Sequence, residues 1–412
     1  MTTVARTSFM PNPADASFLP AHPTDGVGGV VIGGDFQGLG IVRSLGHHGI
    51  PTCVIDDEFS ISRFSRFATH SVRVPDLRDE ENVIKALLQV GQRLNLRGWV
   101  LYPTRDETVA ALASHKDELV KWFRVPTPTL ATVKWAWDKR NTYALAQSLN
   151  IPCPKTWFPR TVEDVKRIDA TFPLILKPAI KENFVYEARA KAWRIDNKEH
   201  LIQRFLEASA FVPEGEMMVQ DLIPGGSAEQ QYGCGLFFSE RRPVATMVAH
   251  YVRAHPPDFG RCSTFVQTVD LPELENLSIR FLEAIDYYGL AELEYRRDPR
   301  DGVFKLLDVN ARTWGYHSLG KAAGVDFAYL LFQHQMGRSV NPLRAHPNVR
   351  WLRWVTDLPV GMHGLFLRKW NIFKYLKSIS GTHVEAVFDI ADPLPSLIET
   401  ALIPYLALTR GY

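Results

Sequence analysis

The sequence predicts a mixed fold, with a parallel α/β domain first and an α+β region of antiparallel sheets after it. Three observations support this prediction. Short apolar strands alternate with helical segments up to about residue 135, strand-like segments separated by turns dominate after Gly233, and the turn signal DPRDG joins two of those later strands. A chain of 412 residues is long enough for about two to three domains.

The first predicted domain, residues 28–135, opens with a strand, a glycine-rich turn, a helix and a second strand. The apolar run GVVI has the length of a buried parallel strand, and IVRSLGHHG has helical periodicity. The turn has the spacing GxxxGxG from Gly34 to Gly40. It is either a tight turn in a sheet domain or a dinucleotide site with Asp56 at the ribose. A lone glycine-rich turn does not decide between them.

The composition excludes several classes of protein. Residues 1–27 are rich in Pro, Ala, Ser and Thr and lack the apolar core of a secretory signal, so we expect a flexible tail. No apolar run reaches the length of a membrane span. The four cysteines lack zinc-site or disulfide-framework spacing, and a formal net charge of +2 gives no reason to expect nucleic acid. These features predict a cytoplasmic protein.

The second predicted region covers residues 136–338. Its first helix, in DKRNTYALAQSLN, has Asp138 as the predicted N-cap. The strands predicted before Gly233 lie in FPLILKPAI, AKAWRID and MMVQDLI. The strands predicted from there on lie in YGCGLFF, PVATMVAHYVRA, STFVQTVDL, GLAELEYRRD and VFKLLDVN. One long helix, PELENLSIRFLEAIDYYG, interrupts them, which is typical of antiparallel sheets with helices on one face.

The strongest chemical signal lies on the two strands that flank DPRDG. The first strand contains Glu294, and the second contains Asp308, Asn310 and Arg312. Because alternate residues of a strand share a face, the last three point the same way and Glu294 can face them. Carboxylate and amide oxygens suit Mg²⁺, and arginine can grip a phosphate with two hydrogen bonds. The alternative is a solvated polar face of a hairpin.

Two lysines and one strand end add weaker signals. Lys177 closes the apolar strand PLILKP, and Lys139 begins a helix. Each suits a phosphate, although each could also be an ordinary surface lysine. The strand in MMVQDLIPGG runs into a turn, where backbone groups could contact an adenine edge.

In this order the motifs resemble the ATP-grasp superfamily over residues 28–338. The matching motifs are DK at 138–139, LKP at 176–178, VQDLIPGG at 219–226 and ELEY…LLDVNAR at 292–312. The chain looks most like the carbamoyl-phosphate-synthase-like branch, which includes D-aspartate ligase and other carboxylate–amine ligases. The resemblance implies a parallel, Rossmann-like pre-ATP-grasp domain at 28–135, followed by a two-lobed ATP-grasp domain with its small lobe at 136–220 and its large lobe at 221–338. It also implies an ADP-forming ligase that activates a carboxylate as an acyl-phosphate for attack by an amine.

The resemblance also implies roles for individual residues. Glu294, Asp308 and Asn310 would bind two Mg²⁺ ions, which Mn²⁺ could replace. Arg312 and Lys177 would be catalytic. The remaining nucleotide contacts would come from Lys139 and Lys177 at the phosphates, from Gln220, Asp221, Leu222 and Ile223 at the adenine, and from Glu229 at the ribose.

The sequence departs from the family pattern at three places. Asp308 stands where glutamate is usual, and Ala311 stands where proline is frequent. The segment KENFVYEARAKA after Lys177 contains no glycine, so Lys181 and Lys191 would replace the contacts of a glycine-rich phosphate loop, or the loop would close differently. This departure keeps open a non-catalytic or regulatory nucleotide-binding protein. A nicotinamide-dependent oxidoreductase is a further alternative.

Two further segments carry predictions about partners. Arg253 and Arg261 in YVRAHPPDFGR are predicted to bind the substrate carboxylate, although the segment could equally be a proline-stiffened surface loop. Residues 344–377 contain seven Arg or Lys residues among interleaved aromatics. They indicate either peripheral membrane contact or a packed part of a C-terminal appendage at 339–412. The resemblance also implies that the chain could form a homodimer.

Overall fold

The computed structural model describes residues 26–180, 190, 192–225, 228–255, 262–369 and 371–410. The predicted positions Lys181, Lys191 and Arg261 lie outside the described residues, as does nearly all of the predicted N-terminal tail. The described strands form three sheets, of four, four and eight strands.

The first sheet is parallel, with the strand order β3-β2-β1-β4. Its strands are β1 (Gly29–Ile32), β2 (Thr52–Asp56), β3 (His70–Arg73) and β4 (Val100–Pro103). Its helices are α1 (Phe36–His47), α2 (Glu80–Leu94), α3 (Asp106–Ser114) and α4 (Lys116–Leu119). Helices α3 and α4 are separate because His115, which lies between them, has the non-helical angles φ −105° and ψ 24°.

The glycine-rich turn after β1 is closed by polar contacts from its own domain. The Asp56 carboxylate accepts a hydrogen bond of 2.5 Å from the Gly34 backbone N–H. The same buried carboxylate forms an ion pair of 2.8 Å with Arg105. Since Asp56 already has these two partners, the contacts favour the tight-turn interpretation over a ribose-binding acid.

The second sheet is antiparallel, with the order β5-β8-β6-β7. Its strands are β5 (Thr156–Trp157), β6 (Leu174–Pro178), β7 (Trp193–Ile195) and β8 (Met217–Asp221). The nearby helices are α5 (Leu130–Trp137), α6 (Lys139–Ser148), α7 (Val162–Arg167) and α8 (Lys198–Ala208). Leu174 and Leu176 of β6 are buried in the core with α7 and α8, so Lys177, the residue after Leu176, points to the opposite face.

The third sheet is the largest, with the order β13-β12-β9-β10-β11-β15-β16 and with β14 paired to β10. Its strands are β9 (Gln231–Ser239), β10 (Arg242–His255), β11 (Cys262–Thr268), β12 (Gly289–Arg297), β13 (Phe304–Asn310), β14 (Leu343–Arg344), β15 (Arg350–Leu352) and β16 (Val384–Glu385). The helices of this region are α9 (Pro272–Ala284), α10 (Leu319–Ala322), α11 (Phe327–Gln335), α12 (Trp354–Phe366), α13 (Ile372–Ile379) and α14 (Leu394–Arg410).

Two glycines of β9 let aromatic side chains lie directly on the strand. A Cβ added to Gly235 would collide with the ring of Trp314, and one added to Gly233 would collide with the hydroxyl of Tyr316. Trp314 and Tyr316 follow β13 and are buried. Because the two glycines have no side chains, both rings can pack on β9. This packing fixes the path of the chain just after the strand that bears Asp308 and Asn310.

The segment 339–412, predicted as an appendage, supplies β14, β15 and β16 to the largest sheet. These strands are only two or three residues long, so they carry no readable alternation in the sequence. The junction predicted at 135/136 falls within α5, and the domain boundaries as a whole stay a prediction. None of the helices in the described ranges is long and apolar enough to cross a bilayer.

Candidate active site

The centre of the candidate site is the β12–β13 hairpin. In its register Glu294 lies directly opposite Asp308, and Glu292 lies opposite Asn310. Side chains opposite one another on one face of an antiparallel pair lie within contact distance. The structure therefore brings together the three predicted metal ligands, Glu294, Asp308 and Asn310.

The amide of Asn310 links the carboxylates of the first strand to the arginine that follows the second. Its Nδ2 donates to Glu294 Oε1 at 2.9 Å and to Glu292 Oε2 at 3.1 Å. Its Oδ1 accepts a hydrogen bond of 3.2 Å from Arg312 Nη2. Arg312 therefore lies beside the predicted ligands, as its place two residues after Asn310 implied.

Arg312 also has a partner from the parallel domain. Its Nε and Nη2 donate to the two carboxylate oxygens of Asp106 at 2.8 Å and 3.2 Å. Asp106 is the first residue of α3 and is separated from Arg312 by 206 positions. Sequence reasoning did not assign Asp106, because nothing local in YPTRDE indicates such a distant partner.

Lys139 reaches the hairpin from the first residue of α6. Asp138 caps this helix as predicted, accepting from the Arg140 backbone N–H at 3.0 Å. The Lys139 Nζ donates to Asp308 Oδ1 at 2.7 Å, and the lysine side chain is only 5% exposed. This burial argues against the ordinary surface lysine that the sequence left open, since a buried ammonium needs a charged partner.

Lys177 is tied to the same region through the backbone. The Lys139 backbone N–H donates to the Ala179 carbonyl at 3.1 Å, two residues beyond Lys177. The Tyr143 hydroxyl, from the helix that begins at Lys139, donates to the Leu307 carbonyl of β13 at 2.8 Å. These two hydrogen bonds hold the end of β6, the start of α6 and strand β13 together.

Glu292 is a further acid of the site, beside Glu294 and Asp308, and sequence reasoning gave it no role. It is buried, and it accepts a hydrogen bond of 2.8 Å from the Tyr251 hydroxyl. Burial, and then the charge of Glu294, raise the pKa of Glu292 to about 7. The signal was present in the sequence, because Glu292 and Glu294 are two residues apart in a strand and share a face.

The donor set of this site fits a hard divalent cation. Among the described residues, no three His, Cys, Asp or Glu side chains converge so as to hold a metal by themselves. The predicted set instead combines two carboxylates in direct register with one amide. The Asn310 N–H group lies between two carboxylates, where a positive charge is favourable. Rotation of the amide about its last torsion would present its oxygen there instead. Oxygen donors of this kind are the ligands Mg²⁺ prefers.

The segment predicted to frame the adenine follows β8. Gln220 is buried, and its Nε2 donates to Thr156 Oγ1 at 2.8 Å, so its side chain belongs to the sheet. Asp221, Leu222 and Ile223 border a cleft of about 800 Å³. The other charged or aromatic residues that line this cleft are Lys155, Trp157, Asp169, Phe172, Arg194, Arg296 and Arg300.

Glu229, predicted to bind the ribose, lies on the short 3₁₀ turn Ala228–Gln230. Its side chain is exposed, and its backbone carbonyl accepts a hydrogen bond of 2.7 Å from His250 Nε2. The carboxylate of Glu229 is therefore accessible from solvent.

Arg253, predicted to bind the substrate acid, has a different partner. Its Nε and Nη2 donate to the two oxygens of Asp357 at 2.7 Å and 2.9 Å, and its Nη1 donates to Ser378 Oγ at 2.8 Å. Both Arg253 and Asp357 are buried. Asp357 thus occupies the guanidinium that was predicted to bind the substrate carboxylate. Arg261, the other arginine predicted for this role, lies outside the described residues.

Sequence comparison relates the chain to one curated ligase but to no family profile. No known family profile matches the chain. The D-aspartate ligase of Enterococcus faecium (strain Aus0004) is 25% identical over 301 residues, which cover 69% of this chain and 70% of that protein.

Solved structures extend the comparison. The L-amino acid ligase of Bacillus licheniformis matches with a TM-score of 0.59 and 15% identity, over 75% of this chain and 74% of that one. The N5-carboxyaminoimidazole synthetase of Staphylococcus aureus, complexed with ADP, matches with a TM-score of 0.60 and 14% identity, over 79% and 81%. The biotin carboxylase domain of Hydrogenobacter thermophilus 2-oxoglutarate carboxylase, a dimer in complex with MgADP, matches at 0.62 and 14%, over 78% and 73%. At these identities the structures show a common fold.

Proposed function

We propose that this chain, whose fold is that of the ATP-grasp enzymes, is an ATP-dependent, ADP-forming carboxylate–amine ligase. The observation that carries the proposal is the convergence of Lys139, Glu294, Asp308, Asn310 and Arg312 on one patch. The similarity to D-aspartate ligase over 301 residues supports the same activity.

The reaction we propose has two steps. A carboxylate oxygen of the acid attacks the terminal phosphorus of ATP, and ADP leaves, which gives an acyl-phosphate. The amine nitrogen then attacks the acyl carbon, phosphate leaves, and the nitrogen loses a proton to give the amide. Phosphoryl transfer needs positioned positive charge around the transferred group, which Arg312 and the two lysines are suited to supply.

We infer that Glu294, Asp308 and Asn310 hold Mg²⁺, and that two ions bind, with Mn²⁺ as a functional substitute. The ions would neutralise the charge of the nucleotide phosphates. Lys139, whose ammonium contacts Asp308 at 2.7 Å, would place its positive charge beside the proposed metal ligand and would bind a nucleotide phosphate there. Asp106 would hold the Arg312 guanidinium in one orientation through its two hydrogen bonds.

For the substrates, we propose an amino acid as the carboxylate and a small amine as the nucleophile. Two relatives, D-aspartate ligase and L-amino acid ligase, support this class. D-aspartate is the first acid to examine. We also propose a homodimer, since the biotin carboxylase domain of Hydrogenobacter thermophilus, which shares the fold, is a dimer in its crystal structure.

The proposal is tested by acid-dependent ADP release. The full chain is incubated with ATP, Mg²⁺, a panel of D- and L-amino acids and an amine such as ammonium, and ADP is measured in a coupled assay. We expect ADP to appear only with particular acids, and Asp308→Asn to lower its rate by about 100-fold or more. Asp301→Asn is the matched control, because Asp301 lies in the turn of the same hairpin and is 46% exposed.

Two results would contradict the proposal. If no acid on the panel produces ADP release while ATP binding is measurable, the non-catalytic nucleotide-binding protein is favoured. Equal loss of activity in the Asp301→Asn and Asp308→Asn variants would remove the special role of the patch. Titration of NADH fluorescence tests the oxidoreductase alternative directly.

A further inference from the structure

Two helices near the C-terminus, α12 and α13, pack together on the largest sheet. Helix α12 contacts strands β10 and β11. Tyr375 of α13 is buried against Gly361 of α12, where an added Cβ would meet the tyrosine ring at 2.5 Å. The Tyr375 hydroxyl also donates to Asp357 Oδ2 at 3.0 Å. One face of each helix is therefore fixed against the protein.

The opposite face of α12 is apolar and exposed. Trp354, Leu358, Met362 and Phe366 follow one another at intervals of four residues, and their exposed fraction rises from 43% to 85% along the helix. Side chains four residues apart form a stripe on one side of an α-helix. The solvent-exposed face of a surface helix is ordinarily polar, whereas the exposed face of α12 is apolar.

Helix α13, which begins six residues after the last residue of α12, also bears exposed apolar side chains. Ile372, Phe373 and Leu376 are between 46% and 78% exposed, while Tyr375 points to the protein interior. We call the seven exposed residues of the two helices the apolar helix-pair surface: Trp354, Leu358, Met362, Phe366, Ile372, Phe373 and Leu376. Exposed apolar surface that is concentrated in one place marks a site of interaction.

The charged side chains along most of this surface have one sign. The exception is Glu385, whose carboxylate accepts a hydrogen bond of 3.0 Å from the Trp354 backbone N–H at the start of the stripe. Residues 358–384 contain four Lys or Arg residues, Arg368, Lys369, Lys374 and Lys377, and no Asp or Glu. All four are exposed, and none forms an ion pair within the described part of the chain. Apolar side chains flanked by unneutralised cations match the interface of a bilayer with anionic headgroups. A symmetric contact with a second copy would instead bring the like charges together.

We propose that the apolar helix-pair surface binds peripherally to a bilayer that carries anionic lipids. The apolar stripe enters the boundary between headgroups and acyl chains, and the four cations contact the headgroups. Because the inner faces of α12 and α13 stay packed on the protein, the contact is interfacial. The inference rests on α12 and α13 alone and does not depend on the ligase activity.

Vesicle flotation of the full chain tests this inference. We expect the protein to float with vesicles of mixed phosphatidylglycerol and phosphatidylcholine, and to float several-fold less as salt is raised. The variant Phe366→Ser/Phe373→Ser is expected to lose at least about tenfold in bound fraction. Lys374→Gln/Lys377→Gln is expected to lose several-fold. Leu206→Ser is the matched control, since Leu206 is 54% exposed on the distant helix α8.

Three results would overturn the inference. In the first, the wild-type chain does not float with the vesicles at low salt. In the second, the Phe366→Ser/Phe373→Ser variant floats as well as the wild type. In the third, the wild type floats equally well with vesicles of phosphatidylcholine alone. Light scattering without vesicles covers the remaining case: a dimer that Phe366→Ser/Phe373→Ser converts to monomer would assign this surface to a second copy instead. Circular dichroism melting of each variant ensures that lost binding does not reflect lost folding.

Discussion

The polar cluster on the β12–β13 hairpin and the polar cluster around Arg253 are built from the same chemical groups. In both, an arginine pairs with an aspartate through two hydrogen bonds, Arg312 with Asp106 and Arg253 with Asp357. They differ in charge balance. Among the described residues, the first cluster has the carboxyl groups of Asp106, Glu292, Glu294 and Asp308, with Lys139 and Arg312 as the cations in contact with them. The second has one carboxylate and one guanidinium.

The two clusters also differ in how completely their carboxylates are paired with groups of the protein. The Asp357 carboxylate accepts from Arg253, from Thr264 Oγ1 at 2.8 Å and from Tyr375 Oη at 3.0 Å, all inside the protein. This cluster is complete and balanced, as expected of a structural ion pair. The hairpin cluster has an excess of negative charge, which a bound cation would offset. The difference indicates that a charge imbalance, rather than the presence of an arginine, is the better sign of the metal site that we propose at the hairpin.

The largest expected effect is on the stability of the closed cluster. Arg253→Ala leaves Asp357 as a buried carboxylate without its cation, so we expect a loss of about 3–5 kcal/mol in the free energy of unfolding. Urea denaturation measures this loss. Arg253→Met/Asp357→Leu should cost much less, because it removes both charges. Arg241→Ala is the control, since the contacts of Arg241 with Glu283 and Asp286 are exposed and 3.9–4.0 Å long.

The comparison between the clusters fails if Arg253→Ala leaves the stability nearly unchanged and weakens the apparent affinity for the acid. Arg253 would then be a substrate-binding residue, as its sequence context first suggested.

A smaller effect is expected at the junction of the hairpin cluster with the parallel domain. Asp106→Asn keeps the size of the side chain but removes the charge that orients Arg312, so we expect kcat for ADP release to fall by about 10–100-fold. The unfolding midpoint should change little, and Asp106→Glu should restore part of the activity. Asp117→Asn, an exposed acid on α4, serves as the control. A loss of stability that parallels the loss of kcat would make Asp106 a purely structural residue.

The smallest effect is expected at the turn of the hairpin, where Asp298 forms a second closed cluster. Its carboxylate accepts from Arg300 Nε at 2.9 Å and from Lys305 Nζ at 2.6 Å. Hydrogen bonds from Arg300, followed by those from Lys305, hold the pKa of Asp298 well below its usual range. A lowered pKa in the folded state adds stability above the unfolded-state pKa of about 3.9, and this contribution is lost as the pH falls below that value.

Asp298→Asn should therefore cost about 1–3 kcal/mol at pH 7 and flatten the acid side of the stability profile between about pH 4 and pH 2. Thermal denaturation across this range measures the change. An unchanged acid limb would mean that the Asp298 contacts persist in the unfolded chain or are absent from the folded one.

Local signals account for what could be predicted from the sequence. The β1-α1-β2 unit, the Asp138 cap and the register that sets Glu294 opposite Asp308 depend on residues close together in the chain. The ATP-grasp fold, recognised from the order of the motifs, is confirmed by the structural comparisons.

The unpredicted features depend on distant pairs. Asp106 and Arg312 are 206 positions apart, and Arg253 and Asp357 are 104 apart, so neither partner could be recognised from its neighbours. The strands β15 and β16, of three and two residues, are too short for a periodic pattern. The roles of the individual nucleotide-contacting residues stay predictions.

The two glycines of β9, Gly233 and Gly235, limit how the sequence can vary in evolution. Gly235 and Trp314 share one volume, as do Gly233 and Tyr316, so a larger side chain on the strand is tolerated only where the ring is replaced by something smaller. Related chains should therefore vary at 235 and 314 together, and likewise at 233 and 316. Such paired variation would show that the packing between β9 and the residues after β13 is maintained among related chains, whatever substrate each of them uses.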